Sequence, residues 1–170
     1  MNWDAVGAIG EIVGALAVVI TLGFLIHQLR QNTIALRQQS ERDSATAFQQ
    51  WSLTTVAPST ARAIGRAWIE VDEKLTPEEM ISVEHFTLSF LFVLLQDYLD
   101  WKRGFQSDDV WTSRVGLIEA VFSSPAVRAW WHLYGRSYVI PEFRRIIEAK
   151  ISENPKDGGD YWKLFREGAA

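Results

Sequence analysis

AVGAIGEIVGALAVVITLGFLI, residues 5–26, decides the architecture of this chain, because Glu11 is its only charged residue. At a rise of ~1.5 Å per residue, about 22 helical residues cover the ~30 Å hydrocarbon layer of a bilayer. Trp3 ahead of the stretch and His27, Gln28 and Arg30 behind it are groups suited to the two membrane–water edges. Two rivals exist. In a signal peptide, Ala15-Leu16-Ala17 would serve as the cleavage site, but apolar residues continue well beyond it and Asn2 and Asp4 stand where a basic start is expected. In a soluble protein the stretch would be a core helix, yet it is longer than most core helices. The expectation is a transmembrane helix.

Orientation follows from charge. Arg30, Arg37 and Arg42 follow the span and no lysine or arginine precedes it, which puts the C-terminal portion in the cytoplasm and the short N-terminus outside. The expected organisation is a transmembrane anchor over residues 1–29 and a helical cytoplasmic domain over residues 30–170, in a single-pass protein of the cytoplasmic (inner) membrane.

Advancing ~100° per residue puts Gly7, Gly10, Gly14, Ala17 and Thr21 on one narrow stripe, with Glu11 at its edge. Ile12, Leu16, Val19 and Ile26 lie opposite. Lipid tails are as apolar as leucine, so helices in a membrane associate where small residues let two backbones approach. The stripe points to a homo-oligomer, although glycine is also common in membrane helices in general. Glu11 is the most informative residue. A carboxylate in hydrocarbon costs several kcal/mol, so it is expected to be neutral, paired across an interface, or in contact with water. That leaves a structural hydrogen-bonding role, snorkelling to the headgroups, or a place in an ion pathway.

The rest of the chain reads as helix. Residues 27–56 contain no proline or glycine, so the first helix can run on. Its seam positions Leu29, Thr33, Leu36, Ser40, Asp43 and Ala47 are too polar for a coiled coil, which predicts packing against the domain instead. Ala57-Pro58-Ser59 ends it, and a short helix over residues 60–71 follows. Thr76-Pro77-Glu78-Glu79 carries the capping-box pattern and opens a helix to Arg103, with Gly104 just past its end. Its run FTLSFLFVLL, residues 86–95, is too short to span a membrane and predicts the core helix. Further helices are predicted over residues 107–122, 124–134 and 141–151, then a loop over 154–159 and a last turn over 161–166. No stretch alternates as a strand does, and the fold class is all-α.

A net charge of −4 lacks the basic excess that nucleic-acid binding requires, and the absence of cysteine excludes disulfides and thiolate chemistry. His27, His85 and His132 fall on separate segments without a metal-binding i+3 or i+4 partner, and no phosphate loop, nucleophile elbow or dinucleotide fingerprint is present. No cofactor is implied. Asp97 and Asp100 could form a paired-carboxylate site, against the plainer expectation of a solvated helix face. Trp130, Trp131, Tyr134 and Tyr138, beside Arg128 and Arg136, could line an aromatic pocket, against the plainer expectation of core packing. Trp101 and Trp111, on either side of Gly104, are expected to close the same core.

Trp3, Ala8-Ile9-Gly10-Glu11, Gly14, QLRQNT (residues 28–33), YLDWKRGF (residues 98–105), SPAVRAWW (residues 124–131) and Pro141-Glu142-Phe143 together resemble a widespread family of short uncharacterised bacterial proteins. The resemblance runs over nearly the whole chain. It implies an N-terminal anchor and a helical domain in a bacterial membrane, and no catalytic or binding residues. The expected function is a membrane-anchored homo-oligomeric interaction or sensing protein, with membrane lipid as its surroundings. The alternatives are an oligomeric ion channel with Glu11 in the pathway, and an enzyme acting on a lipid or small molecule.

Overall fold

The computed structural model describes residues 3–69 and 74–153. Among them there is no strand, and the chain is all-α. It divides into two units, Met1–Gln39 and Ser40–Ala170.

Helix α1 spans Trp3–Leu53. Its apolar stretch within the first unit is long and apolar enough to cross a membrane, and none of it is buried. The uninterrupted run after Gly23 is why one helix continues so far. It ends in a 3-10 turn, Thr54–Val56, because Ala57 is extended (φ −64°, ψ 126°), as a residue before proline must be.

In the second unit, Pro58 occupies the first turn of α2 (Pro58–Trp68), where its missing N–H would have no helical partner anyway. The helix therefore starts two residues earlier than the expected residue 60. Its end falls at Trp68, and Val71 lies outside the described residues. Helix α3 (Pro77–Lys102) opens with a complete capping box: the Glu79 N–H donates to Thr76 Oγ1 at 3.3 Å and the Thr76 N–H to Glu79 Oε2 at 2.8 Å. It closes with Gly104 at φ +75°, a left-handed conformation suited to glycine. There the Phe105 N–H bonds the Asp100 carbonyl at 2.8 Å and the Gly104 N–H the Trp101 carbonyl at 2.9 Å, satisfying the last turn. Helices α4 (Asp108–Val121), α5 (Pro125–Leu133) and α6 (Pro141–Glu153) follow. The predicted loop over 154–159 and turn over 161–166 lie outside the described residues.

The run over residues 86–95 is indeed the core of this unit: Phe86, Phe90, Leu91 and Leu94 are buried. Around α3 pack Phe48 of α1, Ala63 and Trp68 of α2, Ile118 of α4, Trp131 of α5 and Phe143 and Ile147 of α6. Trp51 of α1 stacks on Phe86 at 4.8 Å and donates its indole N–H to the Phe86 carbonyl at 3.0 Å. The Ser124 hydroxyl performs two tasks, accepting from the Val127 N–H at the start of α5 and donating to the Ala67 carbonyl near the end of α2. That satisfies polar groups at two helix ends inside the core.

Candidate functional site

In the first unit, Gly7, Gly10, Gly14, Ala17 and Thr21 are all exposed on α1, and a Cβ added at any of the three glycines would meet nothing within 4 Å. Among the described residues nothing fills the stripe. Thr21 donates its hydroxyl to the Ala17 carbonyl at 2.8 Å, which spends the proton within the helix and leaves an oxygen on the surface. Glu11 is exposed on the same helix.

The second unit holds a polar cluster that residue spacing shows only in part. Where α1, α3 and α4 meet, Ser44, Asp97 and Gln106 are buried among apolar side chains. Arg114 of α4 reaches in so that its Nε lies 3.5 Å from Asp97 Oδ2, and its guanidinium lies 3.8 Å over the Phe48 ring. Gln106 donates to the Ser44 hydroxyl at 3.3 Å. One turn along α3, Asp100 accepts from the Ser40 hydroxyl at 3.0 Å and from Gln96 at 3.1 Å. Burial pushes the Asp97 carboxyl above its ordinary value, while Ser44, the Arg114 charge and Gln106 act the other way. Asp97 is only 2% exposed, which corrects the expectation that Asp97 and Asp100 form a solvated face. The two carboxylates do different work: Asp97 is locked into the core and Asp100 holds the outer turn of α1. The missing signal was Arg114, seventeen positions downstream and brought alongside only by the packing of α4 on α3.

Asp97 Oδ2 and Gln106 Oε1 accept no hydrogen bond among the described residues. The cluster thus contains buried acceptors that geometry alone leaves unsatisfied, and its net worth depends on the Arg114 charge.

Two segments named in the family resemblance also meet. Tyr98 donates its hydroxyl to Glu142 Oε2 at 3.0 Å, Lys102 pairs with the same carboxylate, and the Tyr98 ring lies 5.4 Å from that of Phe143. The Lys102 and Tyr98 hydrogen bonds hold the Glu142 carboxyl below the usual range. These contacts strap α6 to α3. Trp101 and Trp111 stack at 5.5 Å, closing the same end of the unit as expected.

The four aromatic residues of the expected pocket do not share one surface. Trp131 is fully buried, edge-on to Phe122 at 5.4 Å. Trp130 faces the other way, stacks on Tyr138 at 6.3 Å and donates to Glu84 at 3.2 Å, while Tyr134 is exposed. Adjacent residues on a helix point about 100° apart, and here that step sends Trp131 into the core and Trp130 to Tyr138 and Glu84. A shallow cleft in this unit measures about 310 Å³ and is lined by Thr54, Thr60, Ser82, His85 and Ser89 over Phe86. His85 uses its Nδ1 on the Ile81 carbonyl at 2.9 Å, and His27 faces Gln31 at 3.0 Å. Among the described residues no group of three or more His, Cys, Asp or Glu could hold a metal. No family model, curated protein or solved structure matches the chain.

Proposed function

We propose that this chain is a membrane-anchored interaction or sensing protein that acts as a homo-oligomer, held in a bacterial cytoplasmic membrane by α1 with its helical domain in the cytoplasm. The observation that supports this best is the apolar stretch of α1, where bulky aliphatic side chains and a bare small-residue stripe are both exposed and nothing among the described residues covers either. Water is a poor solvent for such a surface. Lipid on one side and a second copy on the other would satisfy both. Within the second unit, Ser40, Ser44 and Phe48 fasten the end of α1 to α3 and α4.

A channel is the second proposal. Glu11 sits beside the small-residue stripe, where an oligomer would gather one carboxylate from each copy. Kinship with the short bacterial proteins named above remains part of the same proposal.

Two measurements test the anchor and its direction. The chain should stay in the membrane fraction after an alkaline carbonate wash, and a reporter fused after Ala170 should register as cytoplasmic. Release by carbonate overturns the anchor. A periplasmic reporter signal overturns the orientation and moves the domain to the wrong side for a cytoplasmic partner.

A further inference from the structure

Immediately after the apolar stretch, Ile26, Leu29, Arg30, Thr33, Ile34 and Arg37 line one open, shallow groove along an exposed face of α1. We infer that this groove binds an anionic phospholipid, with the headgroup phosphate on Arg30 and Arg37 and an acyl chain lying along Leu29 and Ile26. The inference rests on the membrane-anchored reading above and adds a ligand and its site.

Three observations carry it. From Ile12 to Ser40 the chain contains no aspartate or glutamate, so no carboxylate lies within a turn of Arg30, and the nearest to Arg37 is Glu41, one turn further along the helix. Among the described residues neither arginine has an ion-pair partner, and Thr33 spends its hydroxyl proton on the Leu29 carbonyl at 2.9 Å, leaving the two guanidinium groups as the donors of the groove. The apolar and basic halves are also in the order a lipid requires: Ile26 and Leu29 adjoin the hydrocarbon-length stretch, Arg30 lies where headgroups begin, and Arg37, about 10 Å further along the helix, reaches back toward them.

Helical phase selects the occupant. At ~100° per residue, the centre of the arginine groove lies roughly 150° from the stripe of Gly7, Gly10, Gly14, Ala17 and Thr21, and in line with Ile12, Leu16, Val19 and Ile26. If copies associate through small residues, the arginine face remains turned outward to lipid. A second copy of the chain would bring like charges together at Arg30 and Arg37, whereas a phosphodiester supplies the opposite charge and two acceptor oxygens.

The test uses the full chain, purified in mild detergent and presented with phosphatidylglycerol or phosphatidylcholine of identical acyl chains, with bound lipid counted by native mass spectrometry. Phosphatidylglycerol should be retained in preference, by roughly fivefold for each arginine engaged. Arg30→Gln together with Arg37→Gln should reduce that preference to parity, and Arg62→Gln in α2 should leave it intact. Equal retention of the two lipids by the wild type, or a preference that survives the double substitution, overturns the site. Inorganic phosphate separates the two sources of the same chemistry: if it alone binds with the same dependence on Arg30 and Arg37 and displaces the lipid fully, the acyl-chain half of the inference is wrong. A chain that carbonate strips from membranes overturns the anchor and the lipid site together. A chain that stays in the membrane without a lipid preference overturns the lipid site alone.

Discussion

Replacing Arg114 by methionine keeps most of the side-chain volume and removes the charge that faces Asp97, which isolates the energetics of the buried cluster. Breaking a buried ion pair from one side costs about 3–5 kcal/mol, because the remaining charge has lost both water and partner. The lower end applies here: the pair is separated by 3.5 Å and the Arg114 side chain is 22% exposed. Loss of the cation over Phe48 adds about 0.5–1 kcal/mol. Arg114→Met should therefore destabilise the folded chain by about 3.5–4 kcal/mol at pH 7. Asp97→Asn should cost only about 1 kcal/mol, since the amide retains the shape and Arg114 still reaches water. The double variant should cost far less than the two losses added together.

Acidity gives an independent check of the same cluster. Because burial raises the Asp97 carboxyl above its ordinary value of 3.8, the folded chain holds more protons than the unfolded chain between that value and the raised one. Stability contributed by this group is present at low pH and is lost as pH rises through that window. Without Arg114 the window extends further upward, so the deficit of Arg114→Met should be largest at neutral pH and shrink towards pH 4. Urea unfolding of the full chain in mild detergent, followed by tryptophan fluorescence at both pH values, measures all four proteins. Equal losses for the two single variants, or an Arg114→Met deficit that does not change with pH, would refute the claim that Arg114 neutralises a carboxylate locked in the core.

Gly135→Ala places a Cβ 2.5 Å from the Trp130 ring, so it should cost about 1–3 kcal/mol in the same unfolding assay. Gly116→Ala, in α4 with open space around the new methyl group, should be neutral or slightly stabilising. On the membrane side, Gly10→Leu or Gly14→Leu should lower the mass of the detergent-solubilised assembly and Leu16→Ala should not; three unchanged masses would remove the stripe as the interface. Glu11→Gln should preserve the assembly and Glu11→Leu weaken it if the carboxyl is a structural hydrogen-bonding group. Under the channel proposal Glu11→Gln should instead alter cation flux into liposomes, and absence of flux from the wild type would end that proposal.

Helix boundaries were legible wherever a local rule sets them. Thr76, Pro77 and Glu79 cap α3 within four residues of one another, and Gly104 ends it through its own backbone freedom. Ser107, Ser124 and Pro125 mark starts in the same way. The stalk was legible only in part. Of the named seam positions Ser40 and Ala47 do turn inward, but the stretch also packs through Ser44, Phe48 and Trp51, with Asp43 left exposed. Which face of α1 turns inward depends on the direction from which α3 and α4 approach, and no pattern within residues 40–53 carries that information.

Local sequence determined by itself that the chain is all-α, where most helices begin and end, and that residues 5–26 are apolar for the length of a bilayer. Such features depend on neighbours a few positions apart, so a short window contains their cause. Tertiary structure alone decided that Asp97 is buried while Asp100 reaches Ser40, that Trp131 enters the core while Trp130 stacks on Tyr138, and that Glu142 meets Tyr98 and Lys102. Each of these depends on helices distant in sequence packing side by side, and the burial of a charge is a property of that packing rather than of the residue.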